Sequence, residues 1–331
     1  MVLMEGAASL SAASLSVERP GGARPVREGR VQVLELPVDS GRDPGHSGPV
    51  VAAPVPAGAR SYVADNVSYW THRAPSYGDV NRDELAGGQR ARWAAELDGA
   101  IRADLPDRPR AAVRVLDVGT GPGFFSIVLA ELGYDVDAVD YTPAMLGQAR
   151  ANARAAGMAE GAGAGRIAFA RGDAAALPFP SGSFDVIVSR NLTWNLPDPA
   201  AAYAEWVRVL APGGLMLNFD ANWYRYLYDG ALAAAHAGDR ERVAAGVAAG
   251  EVVDDTAGTD VDAMEAIARR APLSRRDRPA WDLRVLAALG LDAEADGDAW
   301  LRLWTADELA NNASTPMFRI KALDKRGGRI L

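Results

Sequence analysis

The chain of 331 residues has no cysteine, which excludes a disulfide frame, a thiolate metal site and a cysteine nucleophile. Histidine is rare: His46, His72 and His236 are the only three. No HxxxH pair or compact carboxylate–histidine group appears, so no metal is expected. Lysine and arginine together number 35 against 43 aspartates and glutamates, a formal charge of −8. That balance argues against a broad electrostatic footprint for DNA or RNA, although a local basic patch would still fit within it. Apolar runs long enough to cross a bilayer are lacking, so no membrane association is expected. The N-terminus carries Glu5 in place of a basic segment, and Ser and Gly break its apolar tract, so a signal peptide is not expected. A cytoplasmic protein is the resulting expectation. Positive charge is nearly all arginine, and alanine and glycine abound, which reads as compositional bias. The apolar fraction of 49% is ample for a core.

What is present is organised around residues 113–126. Branched apolar residues at 113–118 suit a strand buried on both faces. Glycines follow at 119, 121 and 123, and then the helical pattern Phe124, Ile127, Val128, Leu129, Leu132. Strand, glycine turn and helix open a nucleotide-binding α/β unit in which a ligand approaches main chain closely. A dinucleotide site wants G-x-G-x-x-G, and here the last interval is one residue short. Asp117 would repel a phosphate and would suit an ammonium group. A second apolar strand, 136–139, ends in Asp140, about 20 residues past the glycine turn, where a carboxylate accepts ribose hydroxyls. A ribose-bearing ligand with an amino group and no phosphate points to S-adenosylmethionine.

VLDVGTGPGF at 115–124 and AVDYTPAML at 138–146 resemble the first two motifs of class I S-adenosylmethionine-dependent methyltransferases. YWTHRAPSY at 69–77 resembles the YW-x-x-R-A-x-x-Y segment that precedes the core of many small-molecule methyltransferases. LPFPSGSFDVIVSRN at 177–191 is similar to the corresponding motif of the type 11 group, which includes the ubiquinone and menaquinone enzymes. The resemblance covers residues 65–220. It implies an α/β class I methyltransferase sandwich: a mostly parallel seven-stranded sheet with helices on both faces, a closing antiparallel hairpin and a helical insertion after strand five. The cofactor implied is S-adenosylmethionine, held by Asp117, Gly119, Gly121, Gly123, Asp140, Tyr141, Met145, Asp173, Ala174, Arg190 and Asn191, with Tyr69 and Tyr77 closing over its sulfonium. Asp173 would accept the adenine amine, or alternatively cap a helix. Trp70 is expected to serve packing.

The remaining chain is read as follows. Residues 1–60 form an extension of loose order, with one possible strand at 31–36. A methyltransferase domain occupies 61–331, with an amphipathic helix at 83–105, a third strand at 166–170 and a fourth at 186–189. A helix at 200–210, a turn at 211–214 and a fifth strand at 215–219 follow. The insertion, about 221–280, carries helices at 231–249 and 261–270 and would act as a lid. A helix is expected at 281–289, a sixth strand at 291–295 or 300–303, and a seventh at 317–323. Trp194, Asn195, Asn222 and Trp223 follow strands four and five and would face the acceptor. His72, Asp220 and His236 are the candidate general bases. The run Arg275-Arg276-Asp277-Arg278 reads as a solvated charge cluster.

The expected activity is methyl transfer to an O, N or C nucleophile of a small molecule, with the oligomeric state open. Alternatives are a protein or RNA methyltransferase, a regulatory protein that binds the cofactor without catalysis, and a nicotinamide reductase, which the glycine spacing disfavours.

Overall fold

The computed structural model describes residues 57–158, 160 and 165–325. The possible strand at 31–36 and the extension ahead of residue 57 lie outside them. Helix α1 (Ala57–Ala86) opens the described region, and α2 (Gln89–Asp104) follows. The sequence places one helix at 83–105, after an aromatic stretch. Instead the aromatic stretch is itself helical, and Gly87-Gly88 divides the two helices, because glycine gives up the most backbone freedom in a helix interior. Pro75 lies within α1, where it costs one backbone hydrogen bond.

The seven-stranded sheet comprises β1 (Arg114–Val118), β2 (Asp135–Asp140), β3 (Ile167–Arg171), β4 (Phe184–Arg190), β5 (Leu210–Asp220), β6 (Leu291–Asp296) and β7 (Phe318–Asp324). Their order is β3-β2-β1-β4-β5-β7-β6. Strands β1 to β5 pair in parallel, and β7 runs antiparallel to both β5 and β6. Segment 300–303 is therefore not the sixth strand; it is the short helix α9 (Trp300–Leu303).

A parallel sheet must be covered on both faces, and strand alternation divides the work. Val115, Val136, Val186 and Leu215 join Trp93 of α2 and Phe125 and Ile127 of α3 (Phe124–Glu131) in one core. Leu146 and Ala149 of α4 (Pro143–Ala155) belong to it as well. The neighbouring residues Leu116, Ile187 and Met216 point the other way. They meet Tyr203 and Trp206 of α5 (Pro199–Val209) and Leu286 of α8 (Ala280–Ala288).

Residues 211–214 differ from expectation too. They do not end one element and start another but bulge within the continuous strand β5. Pairing steps from Phe184↔Leu210 to Val186↔Leu215, so the whole segment opposes Asp185 alone. Pro212 has no N–H to give to the ladder and Gly213 has φ +78°, both of which favour a bulge.

The insertion after β5 is helical, with α6 (Gly230–Ala249) and α7 (Val261–Ala268). Met264, Ile267 and Ala268 of α7 pack with Tyr62 of α1 and with Trp194 beyond β4. Helices α1 and α7 thus roof the C-terminal ends of the central strands. A further helix, α10 (Ala306–Asn312), precedes β7.

The charge run at 275–278 is not wholly solvated. Arg278 is buried, with its guanidinium paired to Asp220 (2.7 Å) and Asp282 (2.8 Å) and its Nη2 donating to Thr193 Oγ1 (2.6 Å). Burial without such partners would be prohibitive for a guanidinium. The end of the insertion is thereby fastened to the ends of β4 and β5.

Candidate active site

One cleft of about 560 Å³ opens at the C-terminal ends of β1, β2 and β4, beneath α1 and the insertion. On α1, residues Tyr62, Asn66, Tyr69, Arg73, Tyr77, Asn81 and Glu84 line it, recurring every three or four positions along one helical face. That repeat is legible in the sequence, but the aromatic density at 68–77 masks it.

The glycine turn forms the floor, and its three glycines do different work. Gly121 has φ +52°, and among the described residues an added Cβ there would meet only a Tyr77 ring carbon, at 3.8 Å. Its open side is therefore cleft. Gly119 also lines the cleft, yet a Cβ there would strike the Leu192 side chain at 2.6 Å. Gly123 does not line it: its Cβ would press on Ala149 of α4 at 3.1 Å, so this glycine permits helix packing instead of ligand contact.

Asp140, at the end of β2, accepts N–H bonds from Gly121 (2.9 Å) and Thr142 (2.8 Å), which tie the carboxylate to the glycine turn. Burial raises its pKa, and those two N–H groups oppose the rise. Asp117 is buried behind the turn and accepts from Ser126 Oγ at 2.6 Å. Burial pushes its pKa up to about 6, with the nearby Asp140 charge adding to the rise against bonds from Ser126 and Thr120. Between about pH 4 and 6, the native state holds a proton on Asp117 that the unfolded chain has lost. Stability therefore falls as pH rises through that window. Asp117→Asn should have little effect at pH 4 but stabilise the protein by about 1–3 kcal/mol at pH 8, as measured by urea denaturation. An equal change at both pH values would exclude a buried charge at this position.

Tyr141, Met145, Asp173 and Ala174 also line the cleft. Asp173 does not cap a helix. Its carboxylate accepts from Ala175 N–H (2.9 Å) in a tight turn closed by Ala176 N–H on the Asp173 carbonyl. On the β4 side lie Arg190, Asn191, Trp194 and Asn195. Arg190 pairs with Glu84 of α1 and sits over the Trp93 and Phe124 rings, at 5.1 and 5.0 Å. Asn191 adopts φ +55°, an uncommon conformation for a residue with a side chain. Among the described residues, several buried polar atoms lining the cleft have no partner: Asn66 Oδ1, Trp93 Nε1, Arg190 Nη1, Asn191 Oδ1 and Arg240 Nε. Such atoms call for a polar ligand or water.

The three candidate bases separate cleanly. His72 is exposed on α1, with Nδ1 2.7 Å from the Ser68 carbonyl, and faces a different depression between α1 and α7. It lies outside the cleft because its helical register turns it away from the face bearing Tyr69 and Tyr77. Asp220 is also outside. It is fully buried and accepts from Thr193 Oγ1 (2.5 Å), Trp194 N, Ala221 N, Trp223 Nε1 (2.9 Å each) and Arg278. A carboxylate so saturated positions the Trp194 and Trp223 walls and has no free site for an acceptor proton. His236 of α6 does line the cleft. Among the substrate residues, Trp223 lines it, but Asn222 does not: its amide bonds the Arg278 main chain (2.8 and 3.3 Å).

The sequence reading missed Arg73, Glu84, Trp93, Tyr224, Tyr226, Arg240 and Trp304, all of which line the cleft. Arg73 is the arginine of the YW-x-x-R-A-x-x-Y segment on α1; the others come from α1, α2, the insertion and the end of α9, away from the quoted motifs.

A family described as "Methyltransferase domain" matches residues 116–218. A demethylmenaquinone methyltransferase of Thermus thermophilus is 36% identical over 146 residues, covering 44% of this chain and 60% of that protein. A ubiquinone/menaquinone biosynthesis C-methyltransferase of Methylobacterium nodulans is 37% identical over 180 residues, covering 49% of this chain and 67% of that one. A solved S-adenosylmethionine-dependent methyltransferase of Mesorhizobium loti aligns at 21% identity and TM-score 0.42, over 68% of this chain and 96% of its own. The chain spans 60% of the length of the Thermus relative.

Proposed function

The chain belongs to the S-adenosylmethionine-dependent methyltransferase family that includes the ubiquinone and menaquinone enzymes, and we propose that it methylates a small, flat acceptor. The acceptor would lie above the ends of β4 and β5. The observation carrying this reading is Gly121, whose open side faces the cleft, joined by its N–H to Asp140.

The residues present fit S-adenosylmethionine. Asp140 retains lone pairs for ribose hydroxyls, Asp173 and Ala174 stand at the end of β3 for the adenine, and Asp117 and Asp140 supply negative charge for an ammonium group. The aromatic faces of Tyr69 and Tyr77 suit a sulfonium. When bound, S-adenosylmethionine supplies an electrophilic methyl whose carbon–sulfur bond breaks with the electron pair going to sulfur. The protein's part is to hold the acceptor's nucleophile in line with that methyl and to exclude water. Trp194, Trp223, Tyr224 and Trp304 give the acceptor end a flat, apolar lining. Together with the names of the relatives, this lining supports a quinone-type ring or a ring of similar shape.

The test is calorimetric titration of the protein with S-adenosylmethionine and with S-adenosylhomocysteine. Both should bind, and Asp140→Ala should weaken binding by about 1.5–3 kcal/mol through loss of a charged acceptor. That corresponds to roughly 10- to 150-fold in Kd. Absence of heat with the unaltered protein would remove the assignment, whereas unchanged affinity in Asp140→Ala would remove only the ribose role.

A further inference from the structure

The acceptor end of the cleft carries a series of rings. Trp194 lies 4.8 Å from Tyr224, Tyr224 lies 6.0 Å from Tyr226, and Tyr226 stacks on His236 at 3.9 Å with planes 10° apart. His236 ends the series from α6, inside the insertion and beyond the residues matched by the family. Its neighbours are fixed. Tyr226 donates its hydroxyl proton to Glu265 Oε1 (2.9 Å), so that phenol is already committed. One turn on, Asp239 accepts from Ser314 N–H (2.8 Å) and Arg240 donates to the Asn311 carbonyl (2.8 Å), which pins α6 to α10 and the segment after it. Among the described residues, no hydrogen bond engages the His236 ring nitrogens. The imidazole is therefore held by stacking, faces the cleft, and keeps a nitrogen available.

The charged groups around it are Asp239 and Arg240 on α6, Glu265 on α7 and Asp255 in the loop between them. Burial lowers the pKa of His236 and Arg240 lowers it further, against the three carboxylates. The ring is thus neutral near pH 7, as a general base must be.

We propose that His236 is the catalytic base, accepting the proton of a hydroxyl carried by an aromatic acceptor that lies along this series of rings. The proposal rests on the methyltransferase reading above. The O–H bonding pair stays with the acceptor, which becomes the nucleophile toward the methyl carbon. The proton goes to the imidazole lone pair and then to solvent. Stacking selects a flat ring, and a base is required because a phenol is protonated at neutral pH.

The experiment uses the full chain with S-adenosylmethionine and two probes, 2-naphthol and the more acidic 4-nitrophenol, with S-adenosylhomocysteine formation as readout. With 2-naphthol, His236→Gln should lower kcat about 100-fold or more while the KM for S-adenosylmethionine holds. With 4-nitrophenol at pH 8, already ionised, the variant should keep most of its rate. The wild-type rate on 2-naphthol should rise with pH through one ionisation below 6.5, the ordinary imidazole value. Arg240→Gln should move that midpoint upward, and Arg240→Lys should not. Equal loss on both phenols, no loss in His236→Gln, or no turnover of either phenol although calorimetry shows the cofactor bound would each overturn the proposal. Failure of the cofactor itself to bind would instead overturn the reading on which it rests.

Discussion

Replacing Gly121 with valine should abolish binding of S-adenosylmethionine and leave the fold in place. The residue sits at φ +52°, where a β-branched side chain is strained by about 1–3 kcal/mol. Among the described residues, a Tyr77 carbon at 3.8 Å alone lies near the position a Cβ would take, so the valine methyls would occupy open cleft instead of colliding with core. Calorimetry should show no heat, while the Tm falls by roughly 2–10 °C, the drop expected from that strain. The counterpart is Gly123→Val, whose side chain would drive into Ala149 and lower stability first. A Gly121→Val protein that binds within tenfold of wild type would show that this glycine is not the contact surface.

Arg278→Met should be the most destabilising single change outside the apolar core. It leaves Asp220 and Asp282, both fully buried, without their shared cation, and Thr193 Oγ1 with Asn218 Nδ2 as its remaining donor. Breaking a buried ion pair from one side costs about 3–5 kcal/mol. For a domain of this size that is a Tm drop of about 10 °C or more. Neutralising the carboxylates as well, with Asp220→Asn and Asp282→Asn, should recover much of the loss, because the cost is uncompensated charge and not lost volume. Denaturant titration of the single and triple variants checks both statements. A single variant within about 1 kcal/mol of wild type would mean the network is solvated in solution. The effect should also reach the cleft, since Asp220 holds Trp194 N–H and Trp223 Nε1.

The parts of the fold legible in the sequence are those whose signal is local. Strand β1 is a run of branched residues ahead of a glycine turn. The succession through β5 follows from alternation between short apolar runs and helical periodicity. Asp140 could be placed from its distance beyond the turn, because a βαβ unit has a nearly constant length. Three places resisted. Residues 211–214 carry turn chemistry inside a strand, because β5 keeps pairing with β4 on either side of the bulge. The break at Gly87-Gly88 lies between two stretches that both look helical. Arg278 sits among exposed charges, and nothing in its neighbours announces that two carboxylates wait for it across the fold.

The candidate bases make the same division. His72, Asp220 and His236 are equivalent as letters, each near a strand end or an aromatic cluster. One faces outward, one is saturated by donors from the segments that follow β4 and β5 and from Arg278 near the end of the insertion, and one stacks within the cleft.

By itself the sequence determined the sheet's central strands, the glycine turn and the two acids that lie beside that turn, because apolar periodicity and the conformational freedom of glycine act over a few residues. The tertiary structure alone decided which glycine faces the cleft, which charge is buried and which histidine stacks within it. Those outcomes depend on what distant segments place opposite each side chain and on how much water they remove, and neither quantity is a property of the local chain.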